Sequence, residues 1–214
     1  MKNTIIDTID KLIKLPSLSR ICFFSGSFNP PHAGHFKRAM ITIEQGFSDF
    51  FIFCPHSHNE AKKKLFVDIN HRISMLKIGI DETVSREYSH RILVCKPELI
   101  NGLRNHAFIS ICNQLQNRGK IIVIALGSDA LDKNYFQQLK RFFHVVYARG
   151  ESFFKTDFDY SSFENGFVKI PIDLPDSSAL IRSTLINNGS HPVSSINDYI
   201  SKNHLYKKDN CLEK

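Results

Sequence analysis

Tryptophan is absent from this chain of 214 residues, so 18 phenylalanines and 6 tyrosines supply the aromatic side chains. Long hydrophobic runs are also missing, because no stretch approaches the ~18 consecutive apolar residues of a transmembrane helix. The N-terminal segment carries Asp7 and Asp10 among its apolar residues and therefore lacks the apolar region of a secretory signal. The sequence predicts neither a membrane span nor a secretory leader.

Paired cysteines are lacking too. Five cysteines, an odd number without CxxC spacing, are scattered at Cys22, Cys54, Cys95, Cys112 and Cys211. This usage indicates neither a disulfide framework nor a cysteine zinc site. We expect reduced thiols in a cytoplasmic protein, with Cys22, Cys54 and Cys95 buried in strands.

Acidic residues are the minority of the charges, 21 against 28 basic ones, which gives a formal net charge of +7. A basic surface suits an anionic partner, and both a nucleotide phosphate and a nucleic acid meet that description. No aromatic-basic ribonucleoprotein motif occurs and the basic residues are dispersed, so RNA binding is the least favoured interpretation and we predict no nucleic acid partner.

Short apolar runs alternate with amphipathic segments, which is typical of buried strands and helices in turn. We predict strands at 21–24, 50–54, 91–95, 121–126, 143–147 and 166–170, and helices at 4–15, 32–45, 68–83, 104–118, 134–141, 178–187 and 193–202. The alternation predicts an α/β fold, a Rossmann-like, doubly wound parallel sheet in a single domain. Residues 1–19 are then a helical N-terminal extension, 20–206 the domain and 207–214 a polar tail.

Ligands of such sheets bind beyond the carboxyl ends of the strands, which directs attention to the loop after the first strand, Gly26-Ser27-Phe28-Asn29-Pro30-Pro31-His32-Ala33-Gly34-His35. Gly26 allows a ligand to approach the backbone closely. His32 and His35 project from one face of a first helical turn, whose unpaired N–H groups and dipole attract anions. Two imidazoles there can donate hydrogen bonds to a triphosphate. A chance pair on a solvated helix and a metal site are the alternatives.

This loop resembles the GxFxPxHxGH signature of the nucleotidylyltransferases and is most similar to that of bacterial nicotinate or nicotinamide mononucleotide adenylyltransferases. The resemblance extends over about residues 20–206. It implies that His32 and His35 are catalytic and stabilise the triphosphate in the transition state. It also implies that ATP is bound by Gly26, Ser27, Phe28 and Gly34.

A second stretch, Asp176-Ser177-Ser178-Ala179-Leu180-Ile181-Arg182, resembles the family's ISSTxIR motif. Asp176 replaces the isoleucine, and Ala179 replaces the threonine and removes one hydroxyl donor. A helix start with small hydroxyls and a cation suits phosphate oxygens. The resemblance implies that Ser177 and Ser178 bind ATP and that Arg182 is catalytic. An N-cap serine beside a solvated arginine is the alternative.

Two further positions resemble parts of the family's nucleotide site. Gly127-Ser128-Asp129 follows the strand at 121–126, where the family carries a G-x-D that contacts the nucleotide. Arg149 resembles the arginine of an Arg-x-Gly that closes over ATP. ATP-binding roles are therefore implied for Gly127, Asp129 and Arg149, with a helix N-cap as the alternative role of Asp129.

The acceptor side departs from the family, which often stacks the pyridine ring on a tryptophan that this chain lacks. His106 and Tyr135, with Phe136 beside it, are substitutes by residue type. One lysine of 62–64, which we take to be Lys62, lies where the family has a basic residue near the acceptor phosphate. His56 and His58 have no Cys or carboxylate partner at ligand spacing, and no metal site is predicted there.

The resemblance implies an adenylyltransferase that transfers AMP from ATP to nicotinate (or nicotinamide) mononucleotide. Pyrophosphate is released, a dinucleotide of NAD biosynthesis is formed, and Mg²⁺ accompanies ATP. The sequence predicts no membrane partner and is compatible with a homo-oligomer. The alternatives are a related transferase with another acceptor, such as phosphopantetheine or a phosphocholine-like group with CTP, and a non-catalytic nucleotide-binding module.

Overall fold

The computed structural model describes residues 5–57, 67–103, 105–131, 137–148, 158–172, 177–187 and 189–207. Seven strands lie in these ranges: β1 (Ile5–Ile6), β2 (Arg20–Gly26), β3 (Phe50–Pro55), β4 (Ile92–Cys95), β5 (Ile121–Gly127), β6 (Phe143–Ala148) and β7 (Phe167–Pro171). The helices are α1 (Ile9–Ile13), α2 (Ala33–Glu44), α3 (Ile69–Thr83), α4 (Arg86–Ser89), α5 (His106–Gln116), α6 (Ser178–Ile186) and α7 (Ser194–Lys202).

The strands form one sheet in the order β1-β4-β3-β2-β5-β6-β7, and all of its pairings are parallel. From β2 the chain builds outward through β3 and β4, then returns to place β5 on the other side of β2. The carboxyl ends of β2 and β5 therefore flank the point where the strand order reverses, the usual ligand crevice of such sheets. The predicted Rossmann-like parallel sheet is confirmed.

Hydrophobic residues of the strands alternate between two cores, one on each face of the sheet. Phe24 and Phe53 belong to the first core, which α2, α3, α6 and α7 cover. Phe23 and Ile52 belong to the second, which α1 and α5 cover. Burial on both faces explains why these strands read as continuous apolar runs.

The predicted helix at 4–15 is wrong in its first part. Ile5 and Ile6 form β1, which pairs with Val94 and Cys95 at the edge of the sheet, and α1 extends only from Ile9 to Ile13. Two β-branched residues suit an extended edge strand, and the N–H of Lys96 donates to the carbonyl of Ile6 at 2.8 Å. The N-terminal segment is thus part of the sheet. Its partner strand β4 lies far along the chain, so the local sequence shows only the helical periodicity and gives no sign of this pairing.

The other predicted elements agree with the structure to within two residues at each end, apart from the helix at 134–141. There the described residues form only a 3₁₀ turn, Gln137–Leu139, and 132–136 lie outside them. The strand cysteines Cys22, Cys54 and Cys95 are buried with free thiols, as expected. No helix within the described ranges is long and apolar enough to cross a membrane.

Candidate active site

The connection from β2 to α2, residues 27–32, leaves the sheet at the point of strand reversal. Phe28 turns back under Gly26 with φ at +46° and is buried, with its ring edge-on to that of Phe53 at 5.3 Å. A Cβ on Gly26 would lie 3.0 Å from the Phe28 ring. A side chain at position 26 would therefore force the Phe28 ring to shift, so the fold of this β2–α2 loop favours glycine there independently of any ligand.

His32 and His35 are fixed by the start of α2 itself. The backbone N–H of His32 donates to Nδ1 of His35 at 3.1 Å, and the N–H of Gly34 donates to Nδ1 of His32 at 3.2 Å. A nitrogen that accepts from an N–H carries no proton, so each neutral ring carries its proton on Nε2. The helix cap thus presents two imidazole N–H donors with ring centroids 3.9 Å apart.

The electrostatic surroundings keep His35 neutral. Burial lowers the pKa of His35 well below its ordinary value, and electrostatic interactions with His32 and Arg38 lower it further. Arg38 lies one turn along α2, with its guanidinium 5.6 Å from the ring centroid of Phe24 and 5.4 Å from that of Tyr147. At neutral pH His35 is therefore a hydrogen-bond donor without net charge, beside a cation on the same helix.

The backbone carbonyl groups of the β2–α2 loop accept hydrogen bonds from side chains of α3, α6 and the segment before α7. The pairs are Arg72 to Ser27 (2.7 Å), Arg182 to Asn29, Ser178 to Pro30 (3.0 Å) and His191 to Pro31 (2.9 Å). The hydroxyl of Tyr206 adds a bond to Oδ1 of Asn29 at 2.7 Å. The loop conformation is therefore set by contacts from distant parts of the chain.

Arg72 is fully buried and makes the widest set of these contacts. Besides Ser27 it donates to the carbonyls of Val67 (2.9 Å) and Ser57 (3.2 Å). Burial lowers the pKa of Arg72 to about 10, which still leaves it charged at neutral pH. One guanidinium thus joins the β2–α2 loop to the residues on both sides of segment 58–66.

The second motif docks on the first. Ser177 is the N-cap of α6 and accepts from the N–H of Leu180 at 3.2 Å, while Ser178 and Arg182 bind carbonyls of the β2–α2 loop. Arg182 is 9% exposed, so it is not the solvated arginine of the alternative interpretation. The motif both starts a helix and supports the loop that carries His32.

A cavity of about 410 Å³ opens at the same sheet edge, on the side of the second core. The described residues that line this edge cavity are Ser25, His56, Asn101, Gly102, Leu103, Asn105, Ile124, Ala125, Leu126, Ala130 and Leu139. Its volume is within the ordinary range for small-molecule sites. Ser25 lies near the carboxyl end of β2 and lines the cavity, so the cavity lies close to the start of the β2–α2 loop.

Asp129 lies beside the cavity, in the 3₁₀ turn that follows β5. Its carboxylate oxygen would be 2.3 Å from a Cβ on Gly127, so the glycine makes room for it. Asp129 is exposed and makes no hydrogen bond to any residue that the structure describes. Among the described residues, it therefore does not act as a helix N-cap. A carboxylate at this position can accept from a hydroxyl or amine of a ligand.

Residues 23–184 match the model of a protein family described as cytidylyltransferase-like. The chain belongs to the cytidylyltransferase-like family. This membership confirms the predicted resemblance to the nucleotidylyltransferases.

Three solved structures illustrate the likeness of this cytidylyltransferase-like chain. Plasmodium falciparum nicotinic acid mononucleotide adenylyltransferase in complex with NaAD has a TM-score of 0.67 and 19% identity, over 88% of this chain and 97% of that one. The complex of the same enzyme with APC has a TM-score of 0.65 and 20% identity, again over 88% of this chain and 97% of that one. A putative nicotinate-nucleotide adenylyltransferase from Vibrio parahaemolyticus has a TM-score of 0.52 and 16% identity, over 85% of this chain and 99% of that one. At these identities the likeness establishes the fold.

The structure brings most of the predicted residues to one edge. His32, His35, Gly34, Ser178 and Arg182 meet around the β2–α2 loop, and Gly127 and Asp129 lie at the end of the neighbouring β5. His106 is exposed at the start of α5 and does not line the edge cavity, so its acceptor role stays a prediction. Lys62, Tyr135 and Arg149 lie outside the described residues.

Several residues of the site were not singled out from the sequence. Arg38 follows His35 by three positions, and this helical spacing is a signal that could have found it. His56 was considered only as a metal ligand. The positions of Arg72 and His191 against the loop depend on tertiary contacts, for which no local signal exists.

Proposed function

We propose that this family member is an adenylyltransferase that transfers AMP from ATP to nicotinate (or nicotinamide) mononucleotide, forming a dinucleotide for NAD biosynthesis. The observation that carries the proposal is the pair of Nε2–H donors that the cap of α2 fixes just after the carboxyl end of β2, where Ser25 also lines a cavity large enough for a mononucleotide base. The fold neighbours with this activity support it.

The reaction is an in-line displacement. A 5′-phosphate oxygen of the acceptor attacks the α-phosphorus of ATP, a new P–O bond forms, and the bond to pyrophosphate breaks. The attacking phosphate is already ionised at neutral pH, so the reaction requires no general base, and catalysis reduces to positioning and charge stabilisation. Neutral imidazole donors at a helix start suit that task.

In this proposal His32 and His35 donate to the triphosphate as charge moves onto pyrophosphate. The start of α2 and the residues Gly26, Ser27, Phe28 and Gly34 form the surrounding cradle, and Arg182 and Ser178 hold it in place. Asp129 accepts from the nucleoside. Arg149 and Ser177 complete the ATP site, and Lys62, His106 and Tyr135 remain proposed for the acceptor.

Magnesium enters the proposal as part of the substrate, MgATP. No group of three or more His, Cys, Asp or Glu side chains with the geometry of a metal site occurs among the described residues. Mg²⁺ commonly keeps several waters and binds through substrate phosphates, so a protein cage is not required for it.

The proposal is tested by measuring pyrophosphate release from MgATP with nicotinate mononucleotide, nicotinamide mononucleotide or phosphopantetheine as the acceptor. Wild type is compared with His35→Ala and with His90→Ala, a control at an exposed histidine. We expect turnover with a pyridine nucleotide, a loss of about a hundredfold or more in His35→Ala, and no loss in the control. Turnover with phosphopantetheine alone, or ATP binding without any turnover, would overturn the proposal.

A further inference from the structure

A second cavity, of about 470 Å³, lies at the opposite edge of the sheet, where β2, β5 and β6 begin. Arg20, Lys120, Ile121 and Phe143 are among the residues that line this amino-end cavity. Its volume is within the ordinary range for small-molecule sites. The strand β2 extends from Arg20 at this cavity to Gly26 at the candidate active site, a distance of about 20 Å at the rise of an extended strand. The amino-end cavity is therefore separate from the residues of the proposed reaction.

Aromatic rings form one part of the amino-end cavity. Phe47, which follows α2, and Phe143, the first residue of β6, have ring centroids 6.1 Å apart and ring planes at 24° to each other. Both side chains are half-buried, so part of each ring remains exposed. Ile121 is 47% exposed and adds apolar surface to the same cavity. Nearly parallel, partly exposed rings favour a flat apolar ligand that can stack on them.

The charge of Arg20 in the lining is balanced within the protein. Its guanidinium donates to both carboxylate oxygens of Asp49, at 2.9 Å and 3.2 Å, and to the carbonyl of Gly46. The bond from Arg20 lowers the pKa of Asp49 below its ordinary value, so this carboxyl is ionised at neutral pH. Nη2 of Arg91 lies 3.9 Å from Oδ1 of the same carboxylate. Asp49 is thus already shared between two cations.

The charge of Lys120 in the lining is not balanced in this way. Lys120 is only 5% exposed, and its ammonium donates to the carbonyls of Leu15 and Pro16, the latter at 3.0 Å. It forms no ion pair within the described ranges, and its third N–H has no acceptor there. Removing a charge from water is costly unless an opposite charge pairs with it. An anion bound in the cavity would supply that opposite charge.

A further cation adjoins the amino-end cavity. The guanidinium carbon of Arg141 lies 4.7 Å from the ring centroid of Phe142, and its backbone carbonyl accepts from Nδ2 of Asn165; both partners line the cavity. Nη2 of Arg141 donates to Oδ1 of Asn113, whereas the buried Nε–H has no acceptor in the part of the chain that the structure describes. The surroundings of the cavity therefore carry an excess of positive charge.

We propose that the amino-end cavity is a second binding site and takes an aromatic carboxylate, with the ring against Phe47 and Phe143 and the carboxylate at Lys120. A monoanion matches the one ammonium of the lining whose charge no described residue balances. Gln116 and Asn165 supply carboxamides for polar substituents of the ring. The inference does not depend on the proposed function, because the two sites lie at opposite edges of the sheet.

The test uses 2-naphthoate as the probe and 2-naphthamide as its neutral counterpart. Binding is followed by the fluorescence of the naphthalene ring, which no tryptophan of this chain obscures. We expect a Kd of about 1 mM or lower for naphthoate, and binding at least about tenfold tighter than that of the amide. Saturating MgATP should not displace the probe. Displacement by MgATP, or equal affinity for the acid and the amide, would overturn the inference.

Variants locate the probe within the protein. Lys120→Met should weaken naphthoate binding about tenfold or more and change naphthamide binding less than about threefold. The exposed Lys202→Met is the control and should behave as wild type. Wild-type affinity of Lys120→Met for naphthoate would contradict the role of the ammonium.

A second pair of variants leaves the bonds of Lys120 to the backbone intact. Ile121→Glu adds a carboxylate at an exposed position of the lining, and Ile121→Gln is its neutral match in size. Naphthoate should bind about threefold more weakly to Ile121→Glu than to Ile121→Gln, because like charges repel, and naphthamide should bind equally to both. Equal naphthoate binding to the two variants would place the probe elsewhere and overturn the inference, even if Lys120→Met failed to fold.

Discussion

The β2–α2 loop and the edge cavity adjoin at the end of β2, yet they are built in opposite ways. The loop has its backbone carbonyls bound by side chains from α3, α6 and the segment before α7. The described lining of the cavity is mostly apolar, and its polar side chains are those of Ser25, His56, Asn101 and Asn105. The many hydrogen bonds to its backbone fix the geometry of the loop for phosphate chemistry, whereas in the mostly apolar cavity a single substitution can change which ligand fits.

Replacing Arg72 should have the largest effect, because it breaks the loop side of this comparison. Arg72→Met leaves the part-buried carbonyls of Ser27, Ser57 and Val67 without the hydrogen bonds from this guanidinium. We expect the free energy of unfolding to fall by about 3 kcal/mol. We also expect kcat/KM to fall about a hundredfold, as for other misplaced catalytic groups. Urea unfolding and steady-state kinetics measure both, with the exposed Arg86→Met as the control. Wild-type behaviour would show that the loop does not depend on this guanidinium.

Filling the edge cavity with a larger side chain tests the cavity half of this comparison. Ala130 ends the 3₁₀ turn after β5 and lines the cavity, so Ala130→Phe should obstruct the acceptor base. We expect the KM for the acceptor to rise about thirtyfold, with ATP affinity within about twofold and unfolding within about 0.5 kcal/mol. Titration of ATP and acceptor separately measures the difference. Equal losses for both ligands would mean that the two regions are not independent.

A hydroxyl that bonds to the β2–α2 loop should affect kcat more than a hydroxyl that bonds elsewhere. Burial raises the pKa of Tyr206, so its hydroxyl stays a donor to Oδ1 of Asn29. Tyr206→Phe should lower kcat about tenfold and the free energy of unfolding by about 1 kcal/mol. The matched control is Tyr199→Phe, whose hydroxyl bonds His71 at 2.9 Å outside the loop. The control should lose similar stability and retain kcat, and a reversed pattern would contradict the comparison.

A buried histidine outside both regions separates stability from activity. His144 on β6 stacks on Phe163 with 3.9 Å between ring centroids, and burial lowers its pKa to about 4. Because its folded pKa is depressed, its stabilising contribution is complete above the unfolded value of about 6.5 and is lost as pH falls toward about 4.

The free energy of unfolding of His144→Phe should therefore fall by about 2 kcal/mol less than that of wild type when the pH is lowered from about 7.5 to about 5. Urea unfolding at the two pH values measures this, with the exposed His90→Phe as the control. Activity at neutral pH should be unchanged, unlike that of His35 variants. An unaltered slope would mean that His144 does not titrate in this window.

The smallest effect is expected where the chain departs from the family motif. Ala179 is exposed near the start of α6, where the motif has a threonine. Ala179→Thr restores one hydroxyl near the phosphate side, and we expect the KM for ATP to fall by no more than about threefold, with unchanged stability. Kinetics at saturating acceptor measure it. A large gain would mean that this single hydroxyl limits ATP binding.

The sequence was sufficient for the features that depend on local pattern. Alternating apolar runs predicted the sheet and most element bounds, and the spacing of His32 and His35 predicted their shared face on α2. The edge strand Ile5–Ile6 was not predictable, because its partner lies near residue 94. The cavity was not predictable either, since its lining comes from segments between residues 25 and 139. Contacts between such distant segments leave no periodicity to detect.

The bond between Tyr206 and Asn29 spans 177 positions, and this separation orders the assembly of the protein in time. A ribosome releases the residues of the β2–α2 loop early, then Arg72, then Ser178 and Arg182, and Tyr206 last. A nascent chain that stops before residue 206 contains both signature motifs and still lacks a hydrogen bond that shapes the loop. Competence for chemistry is thus acquired late in synthesis, well after the sequence that encodes it has been translated.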